Sequence, residues 1–158
     1  MNNKEPEIVI MVGLPGVGKS TYTEKHYPDY TMISSDKYIE EYARSVGKSY
    51  NSVFEEYSKT AEKMFKDELK VSLSKGLNIV VDRTNMTIKS RAKILAGIPK
   101  EYKKTAITFE VNNKDEHKRR LDSRPNKIIP PFVLEMFKNI YVKPTKDEGF
   151  DEVITITI

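Results

Sequence analysis

The residues of this chain best suited to chemistry lie in a glycine-rich turn near its start. Residues 13–20 fit the pattern G-x-x-x-x-G-K-[ST], directly after an apolar run. The glycines of such a turn let successive backbone N–H groups point at a phosphate, at the positive end of the following helix. The sequence therefore predicts a phosphate-binding loop, or P-loop, that includes Gly13, Pro15, Gly16, Val17 and Gly18.

The three side chains after this loop predict a nucleotide and a metal ion. Lys19 is expected to reach the β- and γ-phosphates of ATP, and Ser20 to offer its hydroxyl to Mg²⁺. Thr21 is expected to support the α-phosphate or to cap the helix. We therefore expect ATP and Mg²⁺ as cofactors of a phosphoryl transfer.

A carboxylate after the second predicted strand is the candidate proton acceptor. Ser34-Ser35-Asp36 follows that strand and opens a helix, so a serine or Asp36 could be the helix N-cap. In P-loop kinases this strand end faces the acceptor, and a carboxylate there can take the proton of an attacking hydroxyl. We predict Asp36 as the general base, with Ser35 beside it in the acceptor site.

A second acidic residue follows the third predicted strand, in the segment Asp82-Arg83-Thr84-Asn85. Ligands of open α/β sheets bind at the carboxyl ends of the strands. We predict that Asp82 binds Mg²⁺ through water, the alternative being a buried aspartate that caps the turn into the next helix. Arg83, Thr84 and Asn85 are candidates for contacts with the acceptor.

Cations are concentrated in residues 118–124, which predict an arginine-bearing lid. Arg120 and Arg124 are expected on one helical face, where both can point at an ATP phosphate group and stabilise its charge. A solvated helix face is the alternative, supported by two acidic residues just upstream. His26 and His117 are isolated, and we expect both to be solvent-exposed.

Alternating strands and helices are predicted to position these side chains. The alternation indicates an α/β fold, with a parallel sheet of about five strands and helices on both faces. Helices are expected after Lys19, Asp36, Thr87, Lys114 and Pro131. Apolar runs predict strands at residues 8–12, 79–81, 106–109 and 153–156, and a weaker one at 30–33.

A further helix is predicted by a stripe of apolar residues spaced three or four apart, which we expect to be core throughout, with no role in binding a ligand. The members of the stripe are Phe54, Tyr57, Ala61, Met64, Phe65 and Leu69.

Composition narrows the functional classes. The length of 158 residues predicts one domain, residues 1–158. Zero cysteines exclude disulfides and thiolate metal sites, and a net charge of +4 favours anionic partners. No apolar run approaches a membrane span, and residues 1–7 do not resemble a secretory signal. We therefore expect a cytoplasmic protein that is not membrane-bound.

The order of the motifs resembles the kinase domain of bacteriophage and animal polynucleotide 5′-hydroxyl kinases. The motifs are G-x-P-G-x-G-K-S-T, S-D, D-x-T-N, R-x-x-x-R and a closing P-T-x-x-E-G-F-D at residues 144–151, and the resemblance spans residues 8–156. It implies an adenylate-kinase-like P-loop fold. It also implies phosphorylation of the 5′-hydroxyl end of DNA or RNA in nucleic-acid repair or modification, in the host cytoplasm if the chain is phage-encoded.

The resemblance assigns the same roles as the residues themselves. The family's general base falls on Asp36, its P-loop lysine and serine on Lys19 and Ser20, and its lid arginines on Arg120 and Arg124.

Some positions depart from the family pattern. Where bacteriophage members place two arginines that contact the nucleic acid, this chain has Ser35 and Ile39. Arg83, Arg91 or the lysines near the lid are candidates to hold the acceptor phosphate instead. The bacteriophage pattern also places the third-strand acid one residue later than Asp82.

Two other functions stay open at this point. One is a kinase for a nucleoside, a modified DNA base or another small hydroxyl metabolite, which the missing arginines favour. The other is a non-catalytic, nucleotide-dependent binding module, against which Asp36, Arg120 and Arg124 argue. The phosphatase motif D-x-D-x-T does not occur, so we expect no 3′-phosphatase activity in this chain.

Overall fold

Five parallel strands form the framework in the computed structural model, which describes residues 5–124 and 127–158. The strands lie in the order β2-β3-β1-β4-β5, and each neighbouring pair is parallel. The central strand β1 is fully buried from Ile8 to Val12, as its continuous apolar run predicts. The strands are β1 (Glu7–Val12), β2 (Thr31–Ile33), β3 (Ile79–Val81), β4 (Lys103–Glu110) and β5 (Glu152–Thr157).

Helices cover both faces of this sheet. One core cluster joins Ile8 and Ile10 of β1 to helical residues such as Phe65, whereas the other joins Val9 and Met11 to the P-loop side. The predicted α/β P-loop fold is confirmed. The helices are α1 (Lys19–His26), α2 (Ser35–Ser45), α3 (Tyr50–Ser74), α4 (Ile88–Leu95), α5 (Lys114–Asp122) and α6 (Pro131–Ile140), with a short 3-10 turn at Lys146–Glu148.

Helix α3 carries the apolar stripe, but the stripe is only partly core. Ala61 and Phe65 are buried, whereas Phe54 is 46% and Met64 is 36% exposed, so the prediction was wrong for these two. The 25 residues of α3 form a helix about 38 Å long, and β2 beside it spans only about 10 Å. Much of α3 therefore packs on α2 instead of the sheet.

The loops that follow β1, β2 and β3 are tied together at one edge of the sheet. The Gly13 N–H donates to the Thr84 carbonyl oxygen at 2.9 Å, and the Asp82 N–H donates to the Ile33 carbonyl oxygen at 2.9 Å. Three loops far apart in sequence are thereby held side by side. This edge is where the predicted site residues lie.

Two remaining segments bear on the predictions. Residues 123–130 separate α5 from α6, and of these Pro125 and Asn126 lie outside the described residues. Within residues 5–124 and 127–158, no helix is long and apolar enough to cross a membrane.

Candidate active site

The P-loop has the backbone geometry that its glycines predict. Gly16 and Gly18 adopt φ of +80° and +98°, a region that other residues avoid, and Gly18 immediately precedes α1. A side chain at Gly16 would also clash with the lid, because its Cβ would lie 2.8 Å from Leu121 Cδ2. Backbone conformation and lid packing therefore both require glycine at position 16.

The ammonium group of Lys19 lies inside this loop. Its Nζ donates to the carbonyl oxygens of Gly13 at 2.9 Å and Leu14 at 2.8 Å. Burial, partly offset by the Asp82 carboxylate, lowers the pKa of Lys19 to about 8. Lys19 is thus a poorly hydrated cation held by carbonyl oxygens, which phosphate oxygens can replace.

The two predicted metal ligands are in direct contact. Ser20 Oγ donates a hydrogen bond of 2.6 Å to Asp82 Oδ2, although Ser20 lies in the first turn of α1 and Asp82 follows β3. The part of the chain that the structure describes holds no group of three or more acidic or histidine residues placed so that together they could hold a metal ion. One hydroxyl and one carboxylate nevertheless suit Mg²⁺, which binds through few protein ligands, several waters and substrate phosphates.

Asp36 lies in the first turn of α2 and is not its N-cap, a position occupied by Ser34. Its Oδ1 accepts a hydrogen bond of 2.6 Å from the Tyr50 hydroxyl, and its Oδ2 accepts one of 2.9 Å from Lys127 Nζ. Burial raises the pKa of Asp36, but the Lys127 charge and the two hydrogen bonds outweigh it and lower the pKa. The carboxylate is therefore ionised at neutral pH.

The lid arginines reach the nucleotide side of the site. Arg120 Nη1 donates to the Val17 carbonyl oxygen at 2.9 Å, and Arg120 Nε donates to Glu116 Oε1 at 3.0 Å. Helix α5 ends at Asp122, so the prediction that Arg124 shares its helical face was wrong. Arg124 follows the cap of the helix, yet both arginines line the same cleft.

His117 was expected on the surface and is instead buried against the P-loop. Its Nε2 lies 2.7 Å from the Pro15 carbonyl oxygen, which can only accept, so Nε2 carries the proton. Its position three residues before Arg120, on the face that meets the P-loop, is a signal that could have revealed this role. His26, by contrast, is exposed as predicted.

Asn85, a predicted substrate contact, is buried and turned away from the cleft. It has φ of +47°, and its Nδ2 donates to the Met11 carbonyl oxygen at 2.8 Å. The side chain thus fastens the loop after β3 to the central strand. Its neighbours Arg83 and Thr84 do line the cleft.

Arg91, a candidate for the acceptor phosphate, is wholly buried. It forms an ion pair of 2.7 Å with Glu148 and donates to the Asn85 carbonyl oxygen at 2.9 Å. A side chain so enclosed cannot reach an acceptor. The family position Ile39 is likewise core, at 2% exposure.

These elements enclose a cleft of about 1090 Å³. Its wall includes every site residue that the sequence predicted by number, apart from Gly13, Ser35, Asn85 and Arg91. It also includes Tyr50 and Lys127, to which no motif pointed. The cleft combines a phosphate loop, a hydroxyl-carboxylate pair, an ionised carboxylate and two arginines, an arrangement suited to moving a phosphoryl group.

Comparison with known proteins links this site to a described family. The sequence profile of the AAA domain matches residues 8–132, a range that contains the P-loop, Asp36, Asp82 and both lid arginines. The bifunctional polynucleotide phosphatase/kinase of Schizosaccharomyces pombe (strain 972 / ATCC 24843) is 28% identical over 156 residues. The alignment covers 96% of this chain and 33% of that protein, so the chain spans about a third of the length of this relative.

Solved structures share the fold at low sequence identity. A gluconokinase from Sinorhizobium meliloti 1021 has a TM-score of 0.61 and 15% identity, covering 99% of this chain and 85% of that one. A chain of the Pnkp1/Rnl/Hen1 RNA repair complex has a TM-score of 0.65 and 20% identity, and the match covers 87% of this chain and 45% of that one. The family resemblance drawn from the motifs is confirmed by the profile and the S. pombe relative.

Proposed function

We propose that this chain, which belongs to the AAA domain family, transfers the γ-phosphate of ATP to the 5′-hydroxyl end of DNA or RNA, in nucleic-acid repair or modification. The observation that carries the proposal is that the Asp36 carboxylate and Lys19 lie in one cleft with the Ser20–Asp82 pair. That cleft holds a proton acceptor for the hydroxyl and a cradle for the phosphates.

The reaction is an in-line phosphoryl transfer. The acceptor hydroxyl gives its proton to Asp36 as its oxygen attacks the γ-phosphorus, and the bond from that phosphorus to the bridging oxygen breaks to release ADP. Lys19, Arg120 and Arg124 stabilise the charge on the phosphoryl oxygens. Asp36 suits the first step because its lowered pKa keeps it unprotonated.

Magnesium has a place in this arrangement. Ser20 would hold the ion directly and Asp82 would hold it through water, in keeping with their 2.6 Å contact. When bound, the ion neutralises charge on the β- and γ-phosphate oxygens.

The polynucleotide acceptor is supported by sequence and charge. The S. pombe relative is named as a polynucleotide phosphatase/kinase, and the alignment covers 96% of this chain. The net charge of +4 suits a polyanionic acceptor.

A kinase for a nucleoside, a modified base or a small hydroxyl metabolite is the second candidate. The two family positions that would carry arginines hold Ser35 and Ile39 in this chain. Ile39 is buried and Ser35 lies outside the cleft wall, so neither position offers a contact to a nucleic acid. An acceptor without a phosphate would need no such contact.

The test is transfer of labelled γ-phosphate from ATP, with magnesium, onto 5′-hydroxyl DNA and RNA oligonucleotides and onto a panel of nucleosides. Asp36→Asn is compared with Asp29→Asn, the same change at an exposed residue. We expect label on the oligonucleotide 5′ end with wild type and Asp29→Asn, and its loss with Asp36→Asn. Label only on a small acceptor supports the second candidate, and no transfer at all contradicts both.

A further inference from the structure

Lys127 closes the acceptor side of the cleft although no motif contains it. Its Nζ lies 2.9 Å from Asp36 Oδ2 and 3.3 Å from Glu40 Oε1, and 4.5 Å from the centre of the Tyr50 ring. Its side chain is only 17% exposed. A cation from the segment after the lid is thus held against the proposed general base.

This contact weakens Asp36 as a proton acceptor. Tyr50 donates to Oδ1 at 2.6 Å and Lys127 donates to Oδ2, so each oxygen keeps one lone pair for a hydroxyl, but the Lys127 charge beside the carboxylate lowers its pKa. Tyr50 is the first residue of α3 and is fixed by that helix. The flexible four-carbon stem of Lys127 makes it the partner that can move.

The backbone beside Lys127 is anchored, which limits movement to its side chain. The Asn51 amide makes two hydrogen bonds to Ile128, donating to its carbonyl oxygen at 2.8 Å and accepting from its N–H at 2.9 Å. The ammonium can therefore swing within the cleft while its main chain remains against α3.

Only an anion can draw Lys127 away, since the ammonium lies between the carboxylates of Asp36 and Glu40. The two arginines named as candidates for the acceptor phosphate are less available, since Arg83 pairs with Glu62 at 3.0 Å and covers the Phe65 ring, and Arg91 is buried. Lys127 can therefore pair either with the proposed general base or with a phosphate of the acceptor.

We propose that Lys127 binds the first phosphate of the acceptor and in doing so frees Asp36. This inference rests on the proposed polynucleotide kinase function. A nucleoside that carries a phosphate beside its attacking hydroxyl draws Lys127 Nζ off Asp36 Oδ2, whereas an unphosphorylated nucleoside leaves it there. Lys127 thereby makes the enzyme select acceptors that belong to a nucleotide chain.

The experiment compares thymidine with thymidine 3′-phosphate, two acceptors that differ only in a phosphate, alongside a 5′-hydroxyl oligonucleotide. The variants are Lys127→Met and Lys127→Arg, with Lys48→Met as the control, because Lys48 is exposed and outside the cleft wall. The values measured are kcat and KM for each acceptor, and KM for ATP.

We expect Lys127→Met to lower kcat/KM by about 10- to 100-fold for the two phosphate-bearing acceptors, chiefly through KM, because a charged hydrogen bond is lost. For thymidine, kcat/KM of Lys127→Met should equal or exceed the wild-type value, and KM for ATP should not change. Lys127→Arg should keep the preference for phosphate.

Two failures are distinguishable. Wild-type transfer to the oligonucleotide, with Lys127→Met weakening all acceptors equally or none of them, overturns the role of Lys127 alone. Wild-type transfer to neither the oligonucleotide nor thymidine 3′-phosphate overturns the proposed function and the role of Lys127 with it.

Discussion

Asp36 shows how neighbouring side chains determine the charge state of one residue. Its hydrogen bonds from Tyr50 and Lys127 favour the charged form and outweigh the burial that opposes it. Neither partner is near it in sequence, so the local Ser-Asp pattern predicts the base without predicting what holds it.

Replacing Asp36 by Asn should separate chemistry from nucleotide binding. We expect kcat to fall by about 10²- to 10⁴-fold because the amide cannot accept the proton, while affinity for ATP stays nearly constant. Single-turnover transfer and equilibrium binding of a fluorescent ATP analogue measure the two effects. Turnover at the wild-type rate would remove Asp36 from the mechanism.

Lys19 predicts a pH dependence of nucleotide binding. With a pKa lowered to about 8 by burial, the free protein loses this ammonium as the pH rises through 8, whereas phosphates favour its charged form. Above that pH, binding must take up a proton, and the affinity for ATP should fall by up to about tenfold per pH unit.

The check is titration of the fluorescent ATP analogue between about pH 7 and 9.5. Lys19→Arg is the matched control, since a guanidinium stays charged throughout this range. The affinity of this variant for the ATP analogue should therefore not change above pH 8. A flat wild-type profile would mean that the Lys19 charge does not govern binding.

At the scale of elements, α5 is held on the P-loop by three different contacts. Arg120 donates to Val17, His117 donates to Pro15, and Leu121 packs over Gly16. The first is a hydrogen bond from a guanidinium, the second is one from an imidazole N–H, and the third is apolar. The lid and the P-loop are therefore packed together along one side of the cleft.

Adjacent arginines of α5 provide a matched test of these contacts. Arg119 and Arg120 both pair with Glu116, at 2.7 and 3.0 Å, but only Arg120 reaches the P-loop and lines the cleft. Arg120→Gln should lower kcat by about 10²-fold or more through lost charge stabilisation, and Arg119→Gln should change it less than twofold. Equal effects on steady-state transfer would assign the loss to the pairing with Glu116.

The strands were predictable because a sheet covered on both faces requires continuous apolar runs. β3 begins and ends where residues 79–81 indicate, and β2 gave the weaker signal because Thr31 and Met32 are only half-buried. The phosphate loop was predictable because its chemistry is local. The partners of His117 and Lys127 were harder to predict, because each side chain contacts a segment distant in sequence: His117 meets Pro15, and Lys127, one of the lysines near the lid, meets Asp36.

At the scale of the whole molecule, the closing P-T-x-x-E-G-F-D motif is structural. Thr145 and Glu148 form a capping box, Gly149 takes φ of +114°, and Phe150 is buried. Asp151 pairs with the backbone of Lys104 on β4 through both its main chain and its carboxylate. The closing motif thus stabilises the fold from outside the cleft, since none of its residues lines the cleft wall.

Glu148 connects that motif to the edge of the sheet where the cleft lies. It holds the buried Arg91, which in turn donates to the Asn85 carbonyl oxygen, and Asn85 is bonded to the central strand. One ion pair therefore links the last segment of the chain to the loop after β3, two residues from Arg83 of the cleft wall. Loss of this ion pair should lower the free energy of unfolding and leave the rate of phosphoryl transfer by the folded protein nearly unchanged.

Arg91→Met should lower the free energy of unfolding by about 3–5 kcal/mol, because it leaves Glu148 charged and buried without its partner. The double variant Arg91→Met, Glu148→Gln should recover part of that loss, since no unpaired charge remains and the glutamine oxygen can still accept from the Thr145 N–H. Below its melting temperature it should transfer phosphate at close to the wild-type rate. Urea unfolding at neutral pH and transfer assays on the same samples measure both. A double variant no more stable than Arg91→Met, or one that is folded but inactive, would show that the pair does more than join the tail to the site.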